Sequence, residues 1–254
     1  MRVLVTNDDG IDSEGVHALA RALTPHGDVT VFVPSRDYSG AGASIGHLGH
    51  GIPDVHVVDR PGLEGVAAAY HFDGPPALAA LLACQGIFGD PPDVVFSGIN
   101  LGWNVGHSVH FSGTVGACIT ARVFAIPALA VSQPAAGAGD AQHWETAAEV
   151  AAGFLADLVA EPRLLNVNVP NLPPGELRGT RRATLADRIP FALHSPTLSE
   201  AEPGRFRAEF QSGGHFDSAE DSDTALVDAG YVAVTELAET TVATSSTERS
   251  GPSQ

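Results

Sequence analysis

The sequence predicts an α/β fold: a doubly wound, mostly parallel sheet with a β-rich C-terminal appendage. Three observations carry this. The chain opens with an apolar run, a helical repeat and a second apolar run, which is a β-α-β unit. Short apolar runs and 3.6-period segments then keep alternating to about residue 171. Beyond that point the helical period fades and extended ribbons take over.

Val3–Thr6 reads as a buried strand that exits into the turn-forming cluster Asn7-Asp8-Asp9-Gly10. Val16, Leu19, Ala20 and Leu23 recur at helical spacing, and Val29–Val33 is a second strand closed by Pro34. A strand-helix-strand order of this kind implies parallel pairing with a right-handed crossover. Residues 34–53 are a long Gly- and Ser-rich loop, a length that usually carries function. Val55–Val58 and Ala67–Phe72 read as short strands, and Pro75–Phe88 as a helix with proline near its first turn. The strand Asp93–Phe96 exits into Ser97-Gly98-Ile99-Asn100 and a Gly-rich loop to Gly113. A helix from Thr114 to about Phe124, a strand at Ala128–Val131, a helix at Trp144–Val159 and a strand at Leu165–Val169 complete a Rossmann-like winding. Leu177–Leu185, Arg205–Gln211 and Gly230–Leu237 read as extended, with no helix among them. The expected organisation is an α/β core over 1–171, a β-rich appendage over 172–240 and a disordered Thr/Ser tail over 241–254.

Among the 254 residues, 30 acidic side chains outnumber 13 basic ones, for a formal charge of −17, and every basic residue is Arg. The absence of Lys excludes P-loop and Schiff-base chemistry. The acidity argues against duplex nucleic acid, whose phosphates call for a basic patch. The 44% of hydrophobic residues supports a full core. No apolar run approaches the ~20 residues of a membrane span, so no membrane partner is expected. The first residues lead straight into a strand, and Cys84 and Cys118 sit in Ala-rich stretches as reduced small hydrophobes. A cytoplasmic location is the expectation.

In open α/β sheets ligands bind outside the carboxyl ends of the strands. Three loops there stand out. Asn7-Asp8-Asp9-Gly10 places two carboxylates side by side, and without Lys a divalent cation with hard oxygen ligands is the natural counter-charge. Taken alone, this cluster is equally an Asx turn leading to a helix. Arg36-Asp37-Tyr38-Ser39-Gly40-Ala41-Gly42-Ala43-Ser44 offers hydroxyls and glycines to an ion or a phosphate, or is simply a flexible loop. Ser97-Gly98-Ile99-Asn100-Leu101-Gly102-Trp103-Asn104-Val105-Gly106 leads on to Ser112-Gly113-Thr114 before a helix, an anion site or an ordinary N-cap.

In this order these residues resemble the SurE survival-protein family of metal-dependent nucleotide phosphatases. The likeness extends through Pro127-Ala128-Leu129-Ala130-Val131-Ser132, Asn166-Val167-Asn168-Val169-Pro170, and Asp223 with Gly230-Tyr231-Val232. The resemblance implies one divalent metal, Mg²⁺ or Mn²⁺, held by Asp8, Asp9, Ser39 and Asn100. It implies a phosphoryl group held by Asn104 and Ser112-Gly113-Thr114, with catalysis falling to Asp8, Asp9 and Asn104. It further implies nucleoside monophosphates as substrates, and a homodimer or homotetramer built by exchange of a long hairpin. The departures from the family pattern are Trp103 where Pro is common, His107-Ser108 in place of two acidic residues, Gly74-Pro75-Pro76-Ala77 without the usual Asp, and the lack of a His after Leu237, where some members place one.

Two other readings compete. A haloacid-dehalogenase-type phosphatase would use Asp8 as a nucleophile, but it normally wants Asp-x-Asp and a later basic residue. A nucleotide-binding or interaction protein of the same fold would have lost catalysis. Zinc at His47 and His50 is a third idea, set against a solvated loop.

Overall fold

The computed structural model describes residues 1–46, 51, 53–59, 61–187, 194–211 and 219–238, with backbone alone at 194–196 and 210–211. His47, His50 and the 241–254 segment lie outside the described residues.

Among the described residues, nine strands form one sheet. In chain order they are β1 (Arg2–Thr6), β2 (Asp28–Pro34), β3 (Val55–Val57), β4 (Ala68–Phe72), β5 (Val94–Leu101), β6 (Ala128–Gln133), β7 (Leu164–Asn168), β8 (Thr180–Arg182) and β11 (Val232–Leu237). Their spatial order is β3-β4-β2-β1-β5-β6-β7-β11-β8. From β4 to β7 all pairings are parallel. The chain winds outward from β1 on one side, then returns to β5 and winds outward on the other. The sheet therefore reverses its winding between β1 and β5, where such sheets bind ligands.

Helices cover both faces. On one lie α1 (Glu14–Leu23), α4 (Trp144–Gly153) and α5 (Leu155–Ala160), and on the other α2 (Pro76–Cys84) and α3 (Gly113–Val123). The strands are apolar on both sides because each side has a core. Val3 and Val5 pack under α1 while Leu4 points to the α2–α3 face, and Val31 and Phe32 divide in the same way. Phe32 is fully buried against Phe72 and Phe88, with ring centroids 4.7 and 5.0 Å away. Among the described residues no helix is long and apolar enough to cross a membrane.

The expected helix over 144–159 breaks at Phe154 into α4 and α5. The segment 172–240 divides rather than standing apart as a whole. β11 joins the main sheet antiparallel to β7, with Ala233 opposite Asn168, and β8 pairs parallel to β11. A helix, α6 (Asp223–Asp228), precedes β11 where the sequence pattern showed none. Six residues are too few to display a 3.6-residue period. Only β9 (His194–Glu202) and β10 (Arg205–Gln211) form a separate antiparallel hairpin.

Candidate active site

The carboxyl ends of β1, β2 and β5 lead into loops that converge on a cavity of about 230 Å³. It is lined by Asp8, Ser39, Gly40, Asn100, Leu101, Gly102, Trp103, Asn104, Ser108, Phe111 and Ser112. The structure thus gathers the three strand-end loops around one space.

Asp8 is 3% exposed. Thr114 donates its hydroxyl to Asp8 Oδ1 at 2.6 Å, and Tyr38 N–H donates to the Asp8 carbonyl at 2.8 Å. Burial pushes the Asp8 carboxyl above its ordinary range, against the opposing pull of Thr114. Asp9 accepts from Leu101 N–H at 3.3 Å. Burial, reinforced by the charge of Asp8, pushes Asp9 up to about 6. Neither carboxylate has an ion pair among the described residues. Two adjacent acids, one buried and one half-buried, without a counter-charge leave a deficit of positive charge.

The donor set suits a hard cation. Asn100 spends its Nδ2 on the Gly102 carbonyl at 2.9 Å, so Oδ1 is its free acceptor. Ser39 brings a hydroxyl from a loop anchored by Tyr38 N–H on Asp8 and by Gly42 N–H on the Phe111 carbonyl at 3.0 Å. Among the described residues no three His, Cys, Asp or Glu side chains cluster as metal ligands. The site therefore offers two carboxylates plus neutral oxygens, a donor set that suits a hard divalent cation.

Asn104 is fixed through its backbone. Its carbonyl accepts from Asn166 Nδ2 at 2.7 Å and Asn168 Nδ2 at 3.0 Å, and its N–H donates to Asn168 Oδ1 at 3.0 Å. Its own Nδ2 donates one hydrogen to Ser132 Oγ at 2.8 Å, which leaves the second amide hydrogen for a ligand. Asn166 and Asn168 match the resemblance, but no role was read for them. The available signal was their period: both project to one side of an otherwise apolar strand.

The Ser112-Gly113-Thr114 turn is arranged differently from the sequence expectation. Ser112 caps α3, its Oγ accepting from Val115 N–H at 3.1 Å. Thr114 serves Asp8. A Cβ on Gly113 would stand 2.8 Å from Asp8 Cβ and Oδ2, so the room glycine creates is taken by a carboxylate. Of the three residues, only Ser112 lines the cavity.

The departures from the family pattern fall into two groups. Trp103 and Ser108 line the cavity. Ser108 Oγ donates to the Val105 carbonyl at 2.6 Å, and Trp103 packs on Leu226, Val227 and Ala233. His107 is outside the cavity, exposed and 3.5 Å from Asp187.

A family model described as survival protein SurE matches residues 3–190. The 5'/3'-nucleotidase SurE of Salmonella arizonae is 36% identical over 251 residues, covering 93% of this chain and 90% of that protein. The protein of the same name from Citrobacter koseri gives the same identity and coverage. The crystal structure of SurE from Aquifex aeolicus superposes with a TM-score of 0.74 at 29% identity, covering 93% of each chain.

Proposed function

The chain belongs to the SurE family, and from that premise we propose that it hydrolyses nucleoside 5'- or 3'-monophosphates in the cavity between β1 and β5. It is a phosphomonoesterase, as the 5'/3'-nucleotidase name of its relatives indicates. The observation that carries the assignment to this cavity is the unpaired acid doublet. Asp8 is buried and Asp9 half-buried beside it at the point where the sheet reverses its winding, and both are pushed toward protonation.

In this reading Asp8, Asp9, Ser39 and Asn100 hold one divalent cation, Mg²⁺ or Mn²⁺. When bound, it supplies charge to the phosphoryl oxygens and acidifies water. The chain's own groups do the rest. Thr114 fixes the rotamer of Asp8. Whichever of Asp8 and Asp9 the cation leaves with a free oxygen is suited to take the proton of the attacking water. The free amide hydrogen of Asn104 and the hydroxyl hydrogen of Ser112, whose oxygen accepts from Val115 N–H, meet the charge that develops on the peripheral oxygens. Leu101 and Phe111, 52% and 48% exposed, give the polar chamber an apolar rim against which a nucleoside can lie.

The quaternary proposal is a homodimer or homotetramer through the β9–β10 hairpin. That hairpin leaves Leu198 and Phe206 69% and 57% exposed, and an isolated two-stranded ribbon is marginal without a partner. A cytoplasmic location accords with two buried, unpaired cysteines.

The experiment is phosphate release from a panel of nucleoside monophosphates after chelation and re-addition of Mg²⁺, Mn²⁺ or Zn²⁺. Metal-restored hydrolysis is expected. Full turnover in excess chelator, or none with any metal, overturns the reading.

A further inference from the structure

Asp223 lies far along the chain from the acid doublet, yet it is fully buried and its carboxylate bridges two distant parts of the molecule. One oxygen, Oδ2, accepts from Gly106 N–H at 2.7 Å. The other, Oδ1, accepts from Ala186 N–H at 3.0 Å and Thr224 N–H at 2.8 Å.

Each partner has a distinct place. Gly106 opens the 3-10 turn Gly106–His110, whose preceding residue, Val105, gives it no side-chain cap. Asp223 therefore caps that turn from 117 residues away. The turn follows directly on Asn104, carries Ser108 into the cavity wall, and receives Ser112 N–H on the Ser108 carbonyl at 3.1 Å. Ala186 stands where the chain departs toward the β9–β10 hairpin, and Asp223 where it has come back. The two roots are also joined by their backbones, Thr184 N–H to the Asp221 carbonyl at 3.0 Å and Asp223 N–H to the Thr184 carbonyl at 2.8 Å.

We propose that Asp223 is a positioning residue that locks the Asn104–Ser112 loop to the roots of the β9–β10 hairpin, so that the hairpin's anchorage sets the geometry of the phosphate chamber. This rests on the function proposed above, and it adds a residue outside the cavity to that machinery. A buried carboxylate satisfied by backbone N–H groups is rigid, because each oxygen has its donors in fixed directions. Release of Gly106 frees the body of the loop while the asparagine grip on the Asn104 backbone and the Ser112 cap of α3 hold its two ends. Displacements of about 1 Å at reacting groups cost up to roughly 10²-fold in rate.

Asp223→Asn tests the lock selectively. The amide oxygen is best placed on the Oδ1 side, where two donors wait, so the new NH₂ faces Gly106 N–H, donor against donor. Amide hydrogen exchange at Gly106 is expected to speed up while Ala186 stays protected. With Mn²⁺ and a nucleoside monophosphate, kcat is expected to fall by about tenfold with KM unchanged, and with Mn²⁺ affinity and oligomeric state retained. Asp223→Ala is expected to expose both amides. Unchanged exchange at Gly106 in Asp223→Asn overturns the proposal. So does a uniform loss in which Ala186 exchange, melting temperature, KM and kcat all deteriorate together. The exchange measurement does not require turnover, so an inactive wild-type protein would refute the proposed function while the lock itself is still decided at Gly106.

Discussion

Thr114 reaches across from the first turn of α3 to Asp8 at the end of β1 and donates its hydroxyl to Oδ1 at 2.6 Å. The bond ties the two elements together and settles which way the carboxylate points. Thr114→Val keeps the shape of the side chain and deletes the donor. Asp8 then loses the contact that most opposes its burial, and protonation competes harder with the cation. Mn²⁺ affinity by calorimetry should fall about tenfold, the equivalent of one lost charge-assisted hydrogen bond. Thr114→Ser should restore most of it. Equal affinity in wild type and Thr114→Val would show that this bond does not set the site.

Gly113→Val should be more damaging than Thr114→Val. Its Cβ would sit 2.8 Å from both Cβ and Oδ2 of Asp8, closer than side chains tolerate. The expected outcome is loss of metal binding, with phosphate inhibition lost as a consequence. A variant that kept full Mn²⁺ affinity but weakened phosphate inhibition would instead return the space beside Gly113 to the anion.

Much of this site was legible because strand-end logic needs only element order. Asp8, Ser39, Asn100, Asn104 and Ser112 line one cavity, with Asp9 held beside it by Leu101 N–H, and that convergence follows from the alternation of apolar runs. The contacts that hold them were not legible. Ser132, Asn166 and Asn168 lie inside strands, and their shared partner is a distant Asn104, bound through its side chain by Ser132 and through its backbone by the two asparagines. What fills the notch beside Gly113 depends on how β1 meets α3, a contact without local signature. The division of 172–240 escaped for a related reason: β11 alternates Val232 and Val234 with Ala233 and Thr235 whether it pairs within an appendage or with β7.

The acid doublet gives metal dependence a pH signature. In the metal-free protein Asp9 titrates at about 6 against an ordinary 3.8. A raised carboxylate favours the folded state below its unfolded value, and that stabilisation is lost as pH rises through 6. Metal-free stability should therefore decline by on the order of 2 kcal/mol between pH 4 and pH 7 from this residue, after allowance for its partial exposure. Mn²⁺ binds the deprotonated form, so its melting-temperature increment should be large at pH 7.5 and small at pH 5. Asp9→Asn should flatten the metal-free slope and abolish most turnover. An increment that is the same at both pH values would contradict the assignment.

Asn104→Ala separates the role of the amide from the role of the loop. The grip of Asn166 and Asn168 is on the Asn104 backbone, so removal of the side chain leaves those three hydrogen bonds in place. Folding and Mn²⁺ affinity should survive. The variant loses one N–H donor aimed at the chamber and frees Ser132 Oγ from its contact. If that donor strengthens its hold as charge builds on the phosphoryl oxygens, kcat should fall about 10²-fold with little change in KM. Ser132→Ala provides the comparison. It keeps the donor and removes only the hydroxyl that orients it, so its loss should have the same kcat character and be smaller. Stopped assays on nucleoside monophosphates with Mn²⁺-loaded protein measure both. A metal-loaded, folded Asn104→Ala with wild-type kcat/KM would defeat the assignment, and charge stabilisation by the chain's own donors would then fall to Ser112.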